Sequence, residues 1–300
     1  MRVLMITGDK SLLVPGTPGF ARLELQRSQV EELALVYWGR GSLWPSTPKG
    51  RFDVVTVQDP FWRGLFAWKI ARHLNARFNV QVHTDLTVQS FWRHILAQIV
   101  LRHADSVRVV SLKIKKQVEN IGMHAAIHVL PIFIDVSRFR VIQRQPHEKK
   151  TIIWVGRFEK EKDPMYALSV LKEVRNAGIE AKLVMLGAGS IEKDLKHRAK
   201  GFQVEFPGWQ DSAVYLGRAD VVLSTSRHES WGASIIEALA AGVPVVAPDV
   251  GVAREAGAIV APRLQLAQKI IEALQTEARG YLQLHLPTRE EWATQWRNTL

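Results

Sequence analysis

Two glutamates with seven residues between them, Glu229 and Glu237, flank a helix start in the stretch RHESWGASIIEALAAGVPVV, residues 227–246. Trp231-Gly232-Ala233 stand where that helix opens. Ile235, Ile236 and Leu239 give it a buried face, and Gly242 ends it in a left-handed turn. Pro244 then leads into Val245-Val246-Ala247, a run short and apolar enough for a buried parallel strand. A loop that opens into a helix offers free backbone N–H groups and the positive end of the helix dipole, which together attract an anion. Carboxylates repel phosphate, so the two acids must serve another part of the same ligand. Hydroxyl groups are the natural candidates, because an ionised carboxylate can only accept hydrogen bonds.

Such residues work only if the surrounding elements deliver them to one edge. In the first half, apolar runs at 3–7, 33–38, 53–57, 78–83, 106–111 and 127–130 read as strands. Helical segments at 20–29, 62–74, 88–102 and 112–121 alternate with them, and 39–50 is a turn-rich surface loop. The alternation restarts after 150, with strands at 151–155, 181–186, 203–206, 220–224, 244–247 and 258–260. Between and after these come helices at 164–177, 191–199, 212–218 and 264–275 and a terminal helix at 289–299. Asp163 is expected as N-cap of the 164–177 helix, with Pro164 in its first turn. The basic, aperiodic stretch at 136–150 contains Pro146 and reads as a linker. The fold class is therefore α/β, with two doubly wound Rossmann-like domains in tandem. Residues 1–140 form the first domain, 141–150 the linker and 151–285 the second domain, with 286–300 a C-terminal helix free to cross back to the first.

Ligands of doubly wound sheets bind at the carboxyl ends of the strands. Gly16 and Gly19 follow the first strand and His83 ends the fourth. Arg157, the pair Gly187 and Gly189, and Glu229 each follow a strand of the second domain. Gly187 and Gly189 equally suit a plain tight turn, and Lys162, set among Glu159, Glu161 and Asp163, suits a surface salt bridge more readily than Arg157 does.

The 300 residues suffice for two cores, and no apolar run is long enough to span a bilayer. With no cysteine, disulfides, thiolate metal sites and a cysteine nucleophile are excluded, and the cytoplasm is the simplest address. The net charge of +11 is uneven: residues 1–150 hold 22 Lys and Arg against 11 Asp and Glu, whereas 151–300 hold 18 of each. An excess of this kind suits an anionic partner surface, either nucleic acid or anionic lipid, or simply a basic solvated face.

The motifs in the second half resemble those of glycosyltransferase family 4, retaining sugar-nucleotide enzymes of the GT-B fold. The resemblance runs through VGRFEKEKDP (155–164), LVMLGAGS (183–190), FPGW (206–209), ADVVLSTS (219–226) and HESWGASIIEALAAGVPVVA (228–247). In the first half, SLKIKKQVENIG and VLPIFID resemble the end of the family's acceptor domain, and His83 in QVHTDL falls where the family has an active-site histidine. The resemblance implies two domains facing each other across a cleft. Arg157 and Lys162 would clamp the donor diphosphate, aided by amides near Trp231, Gly232 and Ala233. Glu237 would bind the ribose hydroxyls, Glu229 the donor sugar, and His83 would lie near sugar and acceptor. Gly16, Gly187 and Gly189 would line the donor site. No metal or other cofactor is implied, since cations and amides stabilise the leaving diphosphate. Glu229 is not assigned as a nucleophile. The departures from the family pattern are Ser230-Trp231 in place of Gly-Phe before Gly232, Pro131-Ile132-Phe133-Ile134-Asp135 in place of a Pro-Asn-Gly-x-Asp turn, a loop shortened after Gly251, and a compact first domain.

The expected function is transfer of a sugar, with retention, from a nucleoside diphosphate sugar to a saccharide or lipid-linked acceptor, in surface polysaccharide or glycolipid synthesis. A GT-B sugar-nucleotide epimerase and a basic nucleic-acid-binding protein are the alternatives; no helix-turn-helix, zinc or RNA motif supports the latter, so no nucleic acid partner is expected. The stripe Phe91, Trp92, Ile95, Leu96, Ile99 and Val100 reads first as the core face of a helix. Flanked by Arg93, His94 and Arg102 and followed by Lys113, Lys115 and Lys116, it also suits peripheral contact with an anionic membrane.

Overall fold

The computed structural model describes residues 1–39, 45 and 48–300, so most of the loop expected at 39–50 lies outside the described residues. The chain divides into two compact units, Met1–Ile134 with Leu286–Leu300, and Asp135–His285.

The first unit contains β1 (Arg2–Thr7), α1 (Pro18–Arg27), β2 (Glu32–Tyr37), β3 (Val54–Val57), α2 (Trp62–Leu74), β4 (Arg77–Val82), α3 (Phe91–Arg102), β5 (Ser106–Val109), α4 (Leu112–Glu119) and β6 (Ala126–Val129). All six strands are parallel, in the order β2-β1-β3-β4-β5-β6. β1 is buried from Val3 to Thr7, as a central strand covered on both faces must be. α1 begins two residues before the sequence signal at 20, because Thr17 accepts the Phe20 N–H and Pro18 fills the first turn. α2 stops at Asn75, whose φ of 52° is left-handed. The helix Arg289–Asn298, started by a reciprocal capping box between Thr288 and Glu291, belongs to this unit. Its Trp292 and Trp296 are buried with Val3, Met5, Leu12 and Leu23, and the Trp292 indole donates to the Pro131 carbonyl (2.8 Å).

α3 corrects the reading of its apolar stripe. The buried side is Ala97, Val100 and Leu101, while Phe91 and Trp92 are 71% and 74% exposed and Ile99 is also exposed. The helix starts at Phe91 rather than 88, and only its last two turns reach the core.

The second unit contains α5 (Ser137–Arg140), β7 (Lys150–Val155), α6 (Pro164–Asn176), β8 (Ala181–Leu186), α7 (Glu192–Arg198), β9 (Val204–Gly208), α8 (Ser212–Leu216), β10 (Val221–Leu223), α9 (Ala233–Ala240), β11 (Val245–Ala247), α10 (Ala253–Ala256), β12 (Ile259–Val260) and α11 (Leu266–Gln275), leaving α12 as the C-terminal helix already described. Residues 141–150, expected as a linker, lie in this unit. Arg144 and His147 both bond to Asp220, and the Gln145 N–H donates to the Gly217 carbonyl (2.7 Å). Arg144, His147 and Lys150, three of the basic residues that made the stretch look like a linker, therefore pair with carboxylates. Its parallel sheet runs β12-β11-β10-β7-β8-β9. Strand order reverses between β7 and β10, and doubly wound sheets bind ligands at such a point, beyond the carboxyl ends of the strands. The loop after β7 carries Arg157 and Lys162, and the loop after β10 carries Glu229.

Candidate active site

Hydrogen bonds through Thr225, Arg227 and Arg263 hold the β7 and β10 loops together. Thr225 is fully buried; its hydroxyl donates to the Asp163 carbonyl (2.8 Å), lies 3.0 Å from the Lys162 carbonyl and accepts from Trp154 Nε1 (2.9 Å). The Arg227 N–H donates to the Glu161 carbonyl (2.9 Å). Arg263 donates to the Thr225 carbonyl (3.2 Å). On this frame the Lys162 ammonium pairs with Glu229 Oε1, which also accepts from Ser226 Oγ (2.9 Å). Both partners are largely buried.

The sequence weighed a local salt bridge for Lys162 more than for Arg157, and the geometry reverses this. Arg157, 59% exposed, pairs with Glu161 four residues along the same loop. Glu159 instead accepts from the Ser190 N–H (2.9 Å) and hydroxyl (2.7 Å), and these bonds hold its carboxyl below the usual range. Asp163 does stand at the N-cap position of α6, but with φ 46° and no capping bond. Its carboxylate takes Arg227 through Nε (3.0 Å) and Nη2 (2.9 Å), together with Arg263 Nη2. Two guanidiniums bind a carboxylate more strongly than one backbone N–H does. Lys162 is thereby left to reach across to the other loop.

Gly187 and Gly189 bring a third loop close. A Cβ at Gly187 (φ +145°) would lie 1.9 Å from the Gly156 carbonyl oxygen, and one at Gly189 would lie 2.4 Å from that of Phe158. Only glycines let the loop after β8 sit on the backbone that carries Arg157.

α9 begins at Gly232, an N-cap with φ 105° and no side-chain cap, so its first amides, from Ala233 onward, have no capping side chain. The Trp231 ring is buried and its Nε1–H has no partner among the described residues. Glu237, on the same helix, accepts from Ser212 Oγ (2.8 Å). Burial raises its carboxyl pKa, against the Ser212 hydrogen bond and the Arg138 charge. The two glutamates thus have separate partners, Lys162 for Glu229 and Ser212 for Glu237. Gly251 (φ +54°), which the sequence marked only as the start of a shortened loop, packs against this segment. A Cβ there would meet the Trp231 carbonyl oxygen at 2.3 Å and Glu229 Cβ at 2.9 Å, and the Val252 N–H donates to that carbonyl (3.0 Å). Its position just after a strand of the same sheet was the available signal.

His83 and Gly16 belong to the first unit. His83 follows β4; its Nε2 is buried without a partner among the described residues, and burial, then the charges of Arg108 and Arg22, lower its pKa well below the ordinary value. Gly16 (φ +82°) faces open space, whereas a Cβ at Gly19 would meet Ser11 Oγ at 2.1 Å. Close packing in this loop therefore falls on Gly19.

Each half of the chain matches a known family. Residues 12–138 match the Glycosyltransferase Family 4 model and residues 149–276 the model of Glycosyl transferases group 1. Among curated proteins, the chain is similar to an alpha-monoglucosyldiacylglycerol synthase of Streptococcus pneumoniae, at 24% identity over 78% of this chain and 58% of that protein. It is also similar to a GDP-mannose-dependent alpha-(1-6)-phosphatidylinositol dimannoside mannosyltransferase of Mycobacterium tuberculosis, at 27% identity over 44% of this chain and 38% of the relative. The matches thus span less than two thirds of the length of these relatives. Among solved structures, the Anabaena HepE protein in complex with UDP-glucose aligns over 100% of both chains with a TM-score of 0.75 at 13% identity, which speaks to fold alone. With both halves matched and the two parallel sheets in place, the chain belongs to glycosyltransferase family 4 and has its GT-B fold.

Proposed function

We propose that the chain is a retaining glycosyltransferase that moves a hexosyl group from a nucleoside diphosphate sugar to a saccharide or lipid-linked acceptor, without a metal, in surface polysaccharide or glycolipid synthesis. The observation that carries this reading is the Lys162–Glu229 pair at the reversal of strand order, with Arg157 in the same loop and the α9 amides beside it. Arg157, Lys162 and these amides take the diphosphate, whose charge grows as the bond from the sugar C1 to phosphate oxygen breaks. Glu237 accepts from the ribose hydroxyls and Glu229 from hydroxyls of the sugar. The acceptor oxygen bonds to C1 on the face the diphosphate leaves, and its proton passes to the departing phosphate oxygen. The products are a glycoside and a nucleoside diphosphate. Gly187 and Gly189 hold the Arg157 loop at the donor site, and Gly16 and His83 serve from the first unit, His83 near sugar and acceptor.

Support also comes from the relatives, whose names include a GDP-mannose donor and glycolipid products, and from HepE, which is in complex with UDP-glucose. Among the described residues no helix is long and apolar enough to cross a membrane. Lipid-linked acceptors would then be met at the surface, at the cytoplasmic face, and the exposed Phe91 and Trp92, 5.5 Å apart edge to face, support contact there with anionic lipid. Incubation with UDP-glucose or GDP-mannose and a panel of glycolipid vesicles and oligosaccharides tests the reaction. Release of nucleoside diphosphate with a glycoside of the donor's anomeric configuration is expected; an inverted product, or epimerised donor without glycoside, contradicts it.

A further inference from the structure

The first unit buries two guanidiniums against a single loosely placed carboxylate. Arg22 on α1 is only 9% exposed and its Nε has no partner among the described residues. The nearest acid, Asp9, lies 3.5 Å from Nη2, at the outer limit of a hydrogen bond, and its other oxygen is engaged by the Ser11 N–H (2.9 Å) and hydroxyl (2.7 Å). Arg108 on β5 is fully buried and donates only to neutral oxygens, those of Gln81 (2.7 Å), Leu130 (3.1 Å) and Pro131 (2.8 Å). His83, whose buried Nε2 is unpartnered, stands two residues beyond Gln81, which accepts from Arg108; burial, then the charges of Arg108 and Arg22, lower its pKa. The residues outside the description, 40–44, 46 and 47, include no Asp or Glu. A buried guanidinium with an unmet N–H is costly unless an anion completes it. β1 and β4, which lead into the Asp9 loop and into His83, end at the carboxyl edge of the sheet, where doubly wound folds bind ligands.

We propose that the first unit holds an oxyanion site built on Arg22 and His83, and that the acceptor carries a phosphate or carboxylate group taken there. The word acceptor rests on the transferase reading above; the anion site does not. Arg22 offers its free Nε–H and its loosely held Nη2 as a fork for two oxygens, and His83 Nε2 can donate to a third once the anion raises the imidazole pKa. Arg108 stays in place as the fixed positive charge beneath.

The test follows the His83 ring resonance of the full chain by NMR, assigned with His83→Gln, while glucose 6-phosphate, glucuronate or glucose is added. At least one of the two charged sugars should shift the resonance saturably and raise the ring pKa, and the comparison distinguishes phosphoryl from carboxylate. Glucose should do neither. Arg22→Met should weaken this binding at least tenfold and Arg22→Lys by less, whereas Arg157→Ala should leave it unchanged. The proposal is overturned if neither charged sugar shifts His83, if glucose shifts it equally, or if UDP shifts it and hexose phosphate does not. Unchanged binding in Arg22→Met would overturn it as well. Loss of UDP binding with the His83 response intact would instead remove the transferase reading and leave the anion site standing.

Discussion

Glu229 and Glu237 posed the question of why acids stand at an anion site, and their partners separate their tasks. Glu229 pairs with Lys162; on the proposed reading a diphosphate would draw the ammonium away, and the freed carboxylate would turn to sugar hydroxyls. Glu229→Gln should therefore lower kcat about 100-fold, the scale of a lost transition-state contact, while affinity for free UDP or GDP changes little. An equal fall in both would contradict contact with the sugar. Glu237 gives a pH signature. Burial raises its pKa above 4.5, so the folded chain keeps a proton that the unfolded chain loses. Stability therefore falls as pH climbs from 4.5 through the raised value. Glu237→Gln removes that loss, and its melting temperature relative to the wild type should rise with pH; a flat difference would count against a strained carboxylate. The placement of both glutamates about a helix start was legible in the sequence, because that spacing is local. The partner of Lys162 was not: three acids lie within three residues of it, and only the fold shows that Glu159, Glu161 and Asp163 are engaged elsewhere.

At the scale of elements, apolar runs and caps revealed the strands and helices, since burial of parallel strands and capping of helix starts both write themselves into adjacent residues. α10 and α5 escaped because four residues carry too little periodicity. Gly251 escaped because its constraint comes from a loop about twenty residues earlier in the chain. Two glycines with similar backbone angles provide a contrast. Gly242 (φ +75°) faces open space, so Gly242→Ala should cost about 1–2 kcal/mol in left-handed strain and leave donor affinity unchanged. Gly251→Ala carries similar strain but also drives a Cβ into the Trp231 carbonyl and towards Glu229. It should destabilise the chain further and weaken nucleotide-sugar binding. Urea midpoints and calorimetric titration measure both effects, and equal donor affinity in the two variants would show that Gly251 does not shape the site.

For the whole molecule, the division of charge depends on where the units part. Counted by compact unit, the first holds 19 Lys and Arg against 11 Asp and Glu and the second 21 against 18, so the excess is +8 and +3 rather than +11 and zero. Residues 135–150, tied to Asp220 and Gly217, account for the difference. The sequence could not place them, because those partners lie some seventy residues further along. The excess that remains on the first unit shares it with Phe91, Trp92 and Leu112, all exposed, and with exposed Arg93, Lys113 and Lys116. Replacing Phe91 and Trp92 together by Ser should lower binding to anionic vesicles at least tenfold, given about 1.5–3 kcal/mol for burying a large apolar side chain, with little effect on UDP or GDP binding. Equal sedimentation of wild type and variant with phosphatidylglycerol vesicles would contradict membrane contact through α3.

The central claim is that the loops at the carboxyl ends of β7 and β10 bind a nucleoside diphosphate sugar through Arg157, Lys162 and the α9 amides. Thermal unfolding of the wild type and Arg157→Ala with UDP-, GDP- and ADP-sugars tests it most directly, because a ligand that binds the folded state raises its melting temperature. At least one of these sugars should stabilise the wild type, and that stabilisation should vanish in Arg157→Ala. No response to any of them, or an equal response in both proteins, would contradict the account.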